Sequence, residues 1–403
     1  MEEHRNSKHF WRGALAGALT MFLVGALVLF GTKLGEKAAA GSEQGKTKVT
    51  AENDQKLENL KKLVDAKFLY ADDIEEGTMQ EGLYKGYIEA LNDPYSVYYD
   101  EEQTQKLMES TQGEYSGIGV VMSQNIETKT ITVVQVYTNS PAKEAGLEEN
   151  DILYMVNGEK VAGRDLSDVV QDVRGEEGTQ VELTVLRGES AQEVTLEVER
   201  RKIEVDTVVS EMKDEQVGYI RISEFDSVTY TQFEKAFEDL EAQGMKGLVV
   251  DLRANPGGNV DTVCKILDRI LPEGTIVSTK DRDGKEMVME SDAEHQFTKP
   301  IAVLVDGNSA SASEIFAGAI QDYELGPVVG TTTYGKGIVQ TVYDLKDGTS
   351  LKLTTSEYFT PKGRNIHGKG IEPDVKVEYE RDENNPSADN QLDAALKVVQ
   401  DKI

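Results

Sequence analysis

The stretch Val329–Gln340, VGTTTYGKGIVQ, decides how the second half of the chain is read. From Gly330 it runs glycine, four residues, glycine, lysine, which matches a phosphate-binding loop up to its last position. That position needs Ser or Thr to hold magnesium, and here it is Gly337. A phosphate loop also follows a strand and opens a helix, whose N-terminus helps to hold the phosphate. The run GPVVG supplies the strand, but IVQTVYDL after Gly337 alternates and is β-branched, so it predicts a second strand. Nucleotide binding is therefore set aside. Lys336 has to be explained as part of a loop between two strands.

Outward from this loop, residues 202–380 alternate strand and helix. KGLVVDLR and PIAVLVDG are continuous apolar runs, as in buried parallel strands. TQFEKAFEDLEAQG, VDTVCKILDRIL and NSASASEIFAGAIQD read as helices, the first ended by Gly244. Such alternation predicts an α/β layer fold with a site built from loops at the strand ends. SASASE, starting at Ser309, lies at a strand-to-helix junction, where a hydroxyl feels the partial positive charge of the helix end. A serine nucleophile needs a base. Of the four histidines, His4 and His9 precede an apolar segment, His295 sits in a polar stretch and His367 in a glycine-rich turn. His295 and His367 stay open as bases, although neither has a partner arrangement around it. A lysine serves instead if burial lowers its pKa, and Lys336 lies in a loop short of other charges. NPGG, ending at Gly258, offers backbone N–H groups suited to a developing oxyanion.

The bulk numbers bound the rest. The chain has 403 residues, 38% hydrophobic content and a formal net charge of −30. That length allows two or three domains with real cores, and that charge would repel nucleic acid. The single cysteine, Cys264, excludes an intramolecular disulfide and a cysteine zinc site, and its apolar helical setting predicts a buried thiol. Gly13–Gly31 carries no charge and as a helix spans about 28 Å, near the hydrocarbon thickness of a bilayer. Arg5, Lys8 and Arg12 precede it, so residues 1–12 are expected in the cytoplasm and the remainder outside. The apolar run exceeds that of most signal peptides, and Lys33, Glu36 and Lys37 separate it from the AAAG at Ala38–Gly41. An uncleaved anchor is favoured: one helix at 13–31, single-pass in the cell membrane, then a polar tether at 32–50.

Residues 51–110 read as helical, with Leu57, Leu60, Val64 and Phe68 near one face, and with a turn at Asn92–Pro94 that stops the pattern. Residues 111–201 change to short strands. Ser140 caps a short helix with Pro141 at its first position, and Asn157-Gly158 signals a hairpin. DLSDVVQDVR predicts a second helix with Leu166, Val169, Val170 and Val173 on one side. SGIGVVM…NSPAKEAGLEENDILYMVNGEKV resembles a PDZ domain. In that reading the loop Ser116, Gly117, Ile118 and Gly119 offers N–H groups to a terminal carboxylate, and the strand from Val120 pairs with an extended peptide.

DLRANPGG, NSASASEIFAGAIQD and YGKGIVQ, in that order after a PDZ-like domain, resemble the carboxyl-terminal processing, or tail-specific, proteases. YFTPKGRNIHGKGIEPDV resembles the tail segment of that family. The resemblance implies a Ser-Lys pair on a core similar to the crotonase and Clp-protease folds, with no metal or cofactor. It places the nucleophile at Ser311, the base at Lys336, a helper at Gln340, and the oxyanion donors at Ala312 and at Gly257 or Gly258. Ser309 and Ser313 are expected to cap or pack, and Arg253 and Asp322, at family positions, to make structural pairs. Arg364 and His367 border the entrance or play no part. Lys336, Ile338 and Gln340, two apart on one strand, are expected to share a face. The implied protein is an α+β multidomain, membrane-anchored, extracytoplasmic serine endopeptidase. Its partners are protein substrates with accessible C-termini, and its PDZ domain is expected to gate the site. A homodimer is expected through the helical ends, including DNQLDAALKVVQ within 381–403.

Overall fold

The computed structural model describes residues 51–403 apart from 76, 127, 138, 189, 293, 383, 384, 386 and 387. The expected anchor at 13–31 and tether at 32–50 lie outside the described residues. Among the described residues, no helix is long and apolar enough to cross a membrane. The chain divides into two units, residues 1–78 and 79–403. In the first, a helix at Ala51–Lys67 leaves Leu57, Leu60, Leu63 and Phe68 exposed, and a short 3-10 turn follows at Ala71–Asp73.

The second unit is built on a six-stranded mixed sheet. Strand Val208–Lys213 pairs antiparallel with Val217–Ile222. Gly247–Asp251, Ile301–Val305, Val328–Gly330 and Val375–Lys376 then follow in parallel. Alternation along these strands sends residues to two cores. Leu248, Val250, Val303 and Val305 join the core that includes helices Thr229–Ala242, Val260–Asp268 and Ala312–Asp322. Val249, Ala302, Leu304 and Val329 pack on the other side with Ala395 and Val399 of helix Asn390–Gln400. The apolar face of that C-terminal helix is thus spent on its own sheet, which corrects the expectation that it serves a partner chain. Arg253 fastens its start, pairing with Asp251 at 2.6 Å and with Asp389 at 2.8 Å. Asp322 pairs with Arg364. Both are structural pairs, as expected.

A second, antiparallel sheet joins strands Val97–Tyr99, Ser350–Phe359, Gly274–Asp281, Glu286–Ser291 and Ile338–Asp344. The expected helical region at 51–110 therefore contains a strand, with Val97 opposite Lys352. Helices Thr78–Glu89 and Glu101–Gln112 flank it in the chain. Residues 120–199 close a third sheet around their own core of Ile118, Ile131, Val133, Val169, Val173, Val181 and neighbours. Asn157 and Gly158 both have positive φ, as a tight two-residue hairpin requires. Helix Leu166–Val173 lies at the predicted position with Val169 and Val173 buried. Strands Glu114–Gly117 and Arg201–Glu204 pair at the neck where this domain joins the core.

Candidate active site

Three loops meet at the C-terminal ends of adjacent parallel strands. The first leaves Gly247–Asp251, the second Ile301–Val305 and the third Val328–Gly330. Asn255, in the first loop, ties it to the second. It is fully buried; its Nδ2 donates to Ile222 O at 2.9 Å, and its carbonyl accepts from Ala310 N at 3.0 Å and Ser313 Oγ at 3.1 Å. Ser309 Oγ donates to Leu252 O at 2.8 Å. Ser309 and Ser313 thus brace the loop, as expected, and neither hydroxyl is free to attack.

Ser311 differs. It precedes helix Ala312–Asp322 with φ 53° and ψ −111°, left-handed geometry that a non-glycine residue rarely holds without compensation. Compensation comes from Glu314, one turn on and fully buried. One carboxylate oxygen accepts from Ser311 N at 2.9 Å and from Lys336 N at 2.8 Å. The other accepts from Gly335 N at 2.7 Å and Thr333 Oγ1 at 2.5 Å. A single carboxylate therefore holds the backbone of the serine and the backbone of the lysine together. Sequence reasoning passed over Glu314. Its signal, Ser-x-x-Glu, is the spacing of a helix-capping box. Asn255 was passed over in the same way.

Gly257 lies against the serine: a Cβ there would sit 2.8 Å from Ser311 Cβ and 2.7 Å from Ala310 O. Its N–H, however, donates to Asn255 Oδ1 at 2.8 Å. Of the two glycines expected to serve an oxyanion, Gly257 is thus already engaged. Gly258, with φ 136°, has no room for a side chain either, since a Cβ would meet Phe225 O at 2.5 Å. Ala312 opens the helix, where N–H groups lack intrahelical acceptors.

Gly337 is explained by space. A Cβ there would lie 2.6 Å from His367 N, so the Ser or Thr of a phosphate loop cannot fit. The following strand starts at Ile338, and a bulge falls between Val339 and Gln340. Lys336 therefore precedes the strand, and strict alternation does not carry from it to Gln340, contrary to the shared-face expectation. Gln340 Nε2 donates to Thr354 Oγ1 at 3.2 Å. The half-buried Lys336 has its Nζ 4.9 Å from the ring centroid of Tyr95. Among the described residues, no hydrogen bond joins Lys336 Nζ to Ser311 or Gln340. Burial first, and then the positive charge of Lys352, hold the Lys336 amine below the ordinary lysine range, against the pull of Glu314 and Asp93.

This is a serine with a strained backbone beside a lysine biased toward neutrality, the elements of nucleophilic catalysis. Comparison with known proteins agrees. The model for Peptidase family S41 matches residues 216–377, and a PDZ domain model matches residues 132–187. The model for the activating protease CtpB N-terminal domain matches residues 15–103. Carboxy-terminal processing protease CtpA of Bacillus subtilis (strain 168) is 35% identical over 366 residues, covering 90% of this chain and 75% of the relative. The chain belongs to the carboxy-terminal processing proteases of family S41. CtpB of the same organism is 34% identical over 371 residues, covering 90% and 77%. A Bacteroides fragilis NCTC 9343 structure given as an S41 protease shares the fold at 16% identity and a TM-score of 0.50, covering 90% of this chain and 99% of that one.

In this S41 protease the PDZ residues divide: Val120 opens a strand as expected, whereas Ser116 and Gly117 belong to the paired strand Glu114–Gly117, which corrects the expected loop and leaves only Ile118 and Gly119 between the two strands. Val120–Gln124 is an edge strand of the PDZ sheet, paired on one side only, with Val136–Ile131. Ile118 is buried in the PDZ core and its carbonyl accepts from Ala142 N at 3.0 Å. Gly119, at φ 76°, presses on Ser140 so closely that no Cβ fits. Gly117 pairs with Arg201, and Ser116 with Lys202. The Ser116 hydroxyl is buried without a hydrogen-bond partner among the described residues.

Proposed function

We propose that Ser311 is the nucleophile of this carboxy-terminal processing protease and Lys336 its general base. Ser311 Oγ attacks a peptide carbonyl as the neutral Lys336 amine takes its proton. The C–N bond breaks with Lys336 returning the proton to the leaving amine, and water then hydrolyses the acyl-enzyme by the same route. Gly258 and Ala312 N–H groups are the oxyanion donors, and Gly257 contributes only where it leaves Asn255. Gln340, its amide oriented by Thr354, assists the lysine when the two meet. The observation that carries this reading is the Glu314 carboxylate, which binds the Ser311 and Lys336 backbones to one point.

The PDZ domain is the reader of substrate C-termini, with an open strand edge at Val120–Gln124 and the short Ile118–Gly119 loop at its end. It also gates the site. Three contacts in or next to helix Leu166–Val173 support this: Arg174 pairs with Glu109 at 3.1 Å and stacks on Tyr115 at 4.7 Å, and Gln171 donates to Glu102 at 3.3 Å. These few polar links are open to rearrangement when a peptide fills the groove. The segment 13–31 anchors the chain, so that it works outside the cytoplasm on exported proteins. The exposed Leu57, Leu60, Leu63 and Phe68 favour a homodimer formed near the N-terminus.

The test is cleavage of an unfolded protein by Ser311→Ala and Lys336→Ala, each with its circular dichroism compared with wild type. Both variants fold and neither cleaves. Cleavage by either one ends the Ser-Lys reading. Peptides with a free C-terminus compete for the PDZ domain, whereas C-terminally amidated versions do not.

A further inference from the structure

The turn that stops the N-terminal helical pattern reaches into the active site. Asn92 has φ 53°, and Asp93 Oδ1 accepts from Tyr95 N at 3.1 Å while Oδ2 accepts from Ser96 Oγ at 2.6 Å. Ser96, only 6% exposed, in turn accepts from Thr354 N at 3.0 Å through its hydroxyl. Thr354 is the residue that holds the Gln340 amide. The turn is locked from its other end by strand Val97–Tyr99 in the antiparallel sheet. Tyr95 therefore stands on a rigid base. Its ring faces Lys336 Nζ at 4.9 Å, within cation–π range, and its hydroxyl lies 3.5 Å from the hydroxyl of Tyr334, two residues before the lysine.

We propose that Tyr95 is a positioning residue for the reaction: in the resting enzyme its ring face holds the Lys336 ammonium away from Ser311, and peptide binding draws the lysine off the ring. This rests on the Ser-Lys reading. A ring face attracts the ammonium and has no comparable attraction for the neutral amine, so Tyr95 works against the proton loss that the base requires. The other groups around this end of Lys336 are Asp93 on the turn, Glu314 on the helix, Lys352 on the neighbouring strand, and Tyr334 on the lysine loop. His367 lies near Asp93. Asp93 and Glu314 favour the charged amine and Lys352 opposes it. Tyr95 is the member of this set whose attraction is directional, so it is suited to fix where the ammonium rests.

Removing the ring frees the base. In Tyr95→Leu the acid limb of the kcat/KM profile moves to lower pH, by roughly half a unit or more. Tyr95→Phe keeps the ring face, so its acid limb coincides with that of wild type. An unmoved limb in Tyr95→Leu, or an equal displacement in Tyr95→Phe, overturns the proposal. Should Tyr95→Leu not fold, a second measurement needs no change at Tyr95. In full-length Ser311→Ala protein with 13C-labelled lysine, Lys336 is assigned by its loss in a Ser311→Ala/Lys336→Arg variant. Its ε-protons resonate upfield through the ring current and return toward the random-coil position when an uncleaved substrate peptide is added. An ordinary shift in the free protein overturns the proposal. Failure of the Ser-Lys reading shows separately, as cleavage by Lys336→Ala.

Discussion

Glu314→Gln is the perturbation that most directly probes how the site is assembled. The carboxylate accepts four hydrogen bonds and donates none, from Ser311 N, Lys336 N, Gly335 N and Thr333 Oγ1. Glutamine has nearly the same shape but replaces one acceptor oxygen with an NH2 group. Turned one way, the NH2 faces the Ser311 and Lys336 N–H groups. Turned the other way, it faces Gly335 N–H and a threonine hydroxyl that already accepts from Ile371 N at 2.7 Å. Either orientation sets donor against donor at one backbone N–H or more. Hydrogen bonds to a charged group contribute about 1.5–3 kcal/mol each, so the loss of even one amounts to about 1.5 kcal/mol or more. If that loss falls on the relative placement of serine and lysine, kcat/KM drops by roughly 10-fold or more. The assay is cleavage of a quenched fluorescent peptide, expressed per site titrated with a fluorophosphonate probe, alongside thermal unfolding. The titration separates misplacement from a smaller folded fraction. Activity within about threefold of wild type per titrated site would refute the argument that this carboxylate aligns the pair.

Three further outcomes follow from the same structure. Lys352→Met removes a positive charge that holds the Lys336 amine low, so the Lys336 pKa rises and the acid limb of kcat/KM moves to higher pH; an unmoved limb means that Lys352 does not act on the base. Arg253→Met leaves Asp251, 1% exposed, with Tyr219 Oη at 2.9 Å but no cation, and also frees Asp389 at the start of the C-terminal helix. Denaturant unfolding should show a loss of about 3–5 kcal/mol, and a loss below about 1 kcal/mol would mean that the pair is not a structural lock. Asp226 is pushed up to about 7 by burial and then by Glu224. Between the unfolded carboxyl range near 4 and about 7, the folded state binds the extra proton, so Asp226 removes stability as pH rises through that window. The advantage of Asp226→Asn over wild type should therefore grow from pH 4 to pH 7 and level off above it, reaching about 2–4 kcal/mol; a difference independent of pH contradicts the shift.

What the sequence disclosed follows the range of the interactions involved. Gly247–Asp251 and Ile301–Val305 are legible because five consecutive buried residues leave an apolar run. The Asn157-Gly158 hairpin is legible because two positive φ angles demand those residue types. Ser311 and Lys336 are legible as motif residues, and the missing helix after Gly337 is legible from alternation. The Val97–Tyr99 strand is not, since three residues among polar neighbours carry no period, and their partner, Leu351 opposite Tyr98, is remote in sequence. The same holds for Glu314. Its capping contact with Ser311 is local and visible, while its contacts with Thr333, Gly335 and Lys336 arise only when two strands are neighbours in the sheet. Gln340 shows the opposite failure, because a one-residue bulge is enough to undo a face assignment made from spacing.

The two halves of Lys336 are held in different ways, and this suits a lysine used as a base. Its stem is long and flexible, so a mobile backbone would leave the amine no defined reach. The backbone end is instead fixed by the carboxylate that fixes the serine, and Gly335 and Gly337 are packed against the Gly368–Gly370 and His367 backbones. The amine end rests on a ring face, without a hydrogen bond to Ser311 or Gln340 among the described residues. On the proposed Ser-Lys reading, activation is then a change of side-chain rotamers without rebuilding of the loop. A rotamer change is fast and small in energy beside the refolding of a loop, so the energy of one bound peptide is sufficient to drive it. The same division explains why the two ends respond to different substitutions. Loss of Glu314 misplaces the root of the lysine and lowers the rate at every pH, whereas loss of the Tyr95 ring changes where the tip rests and moves the pH at which the base is ready.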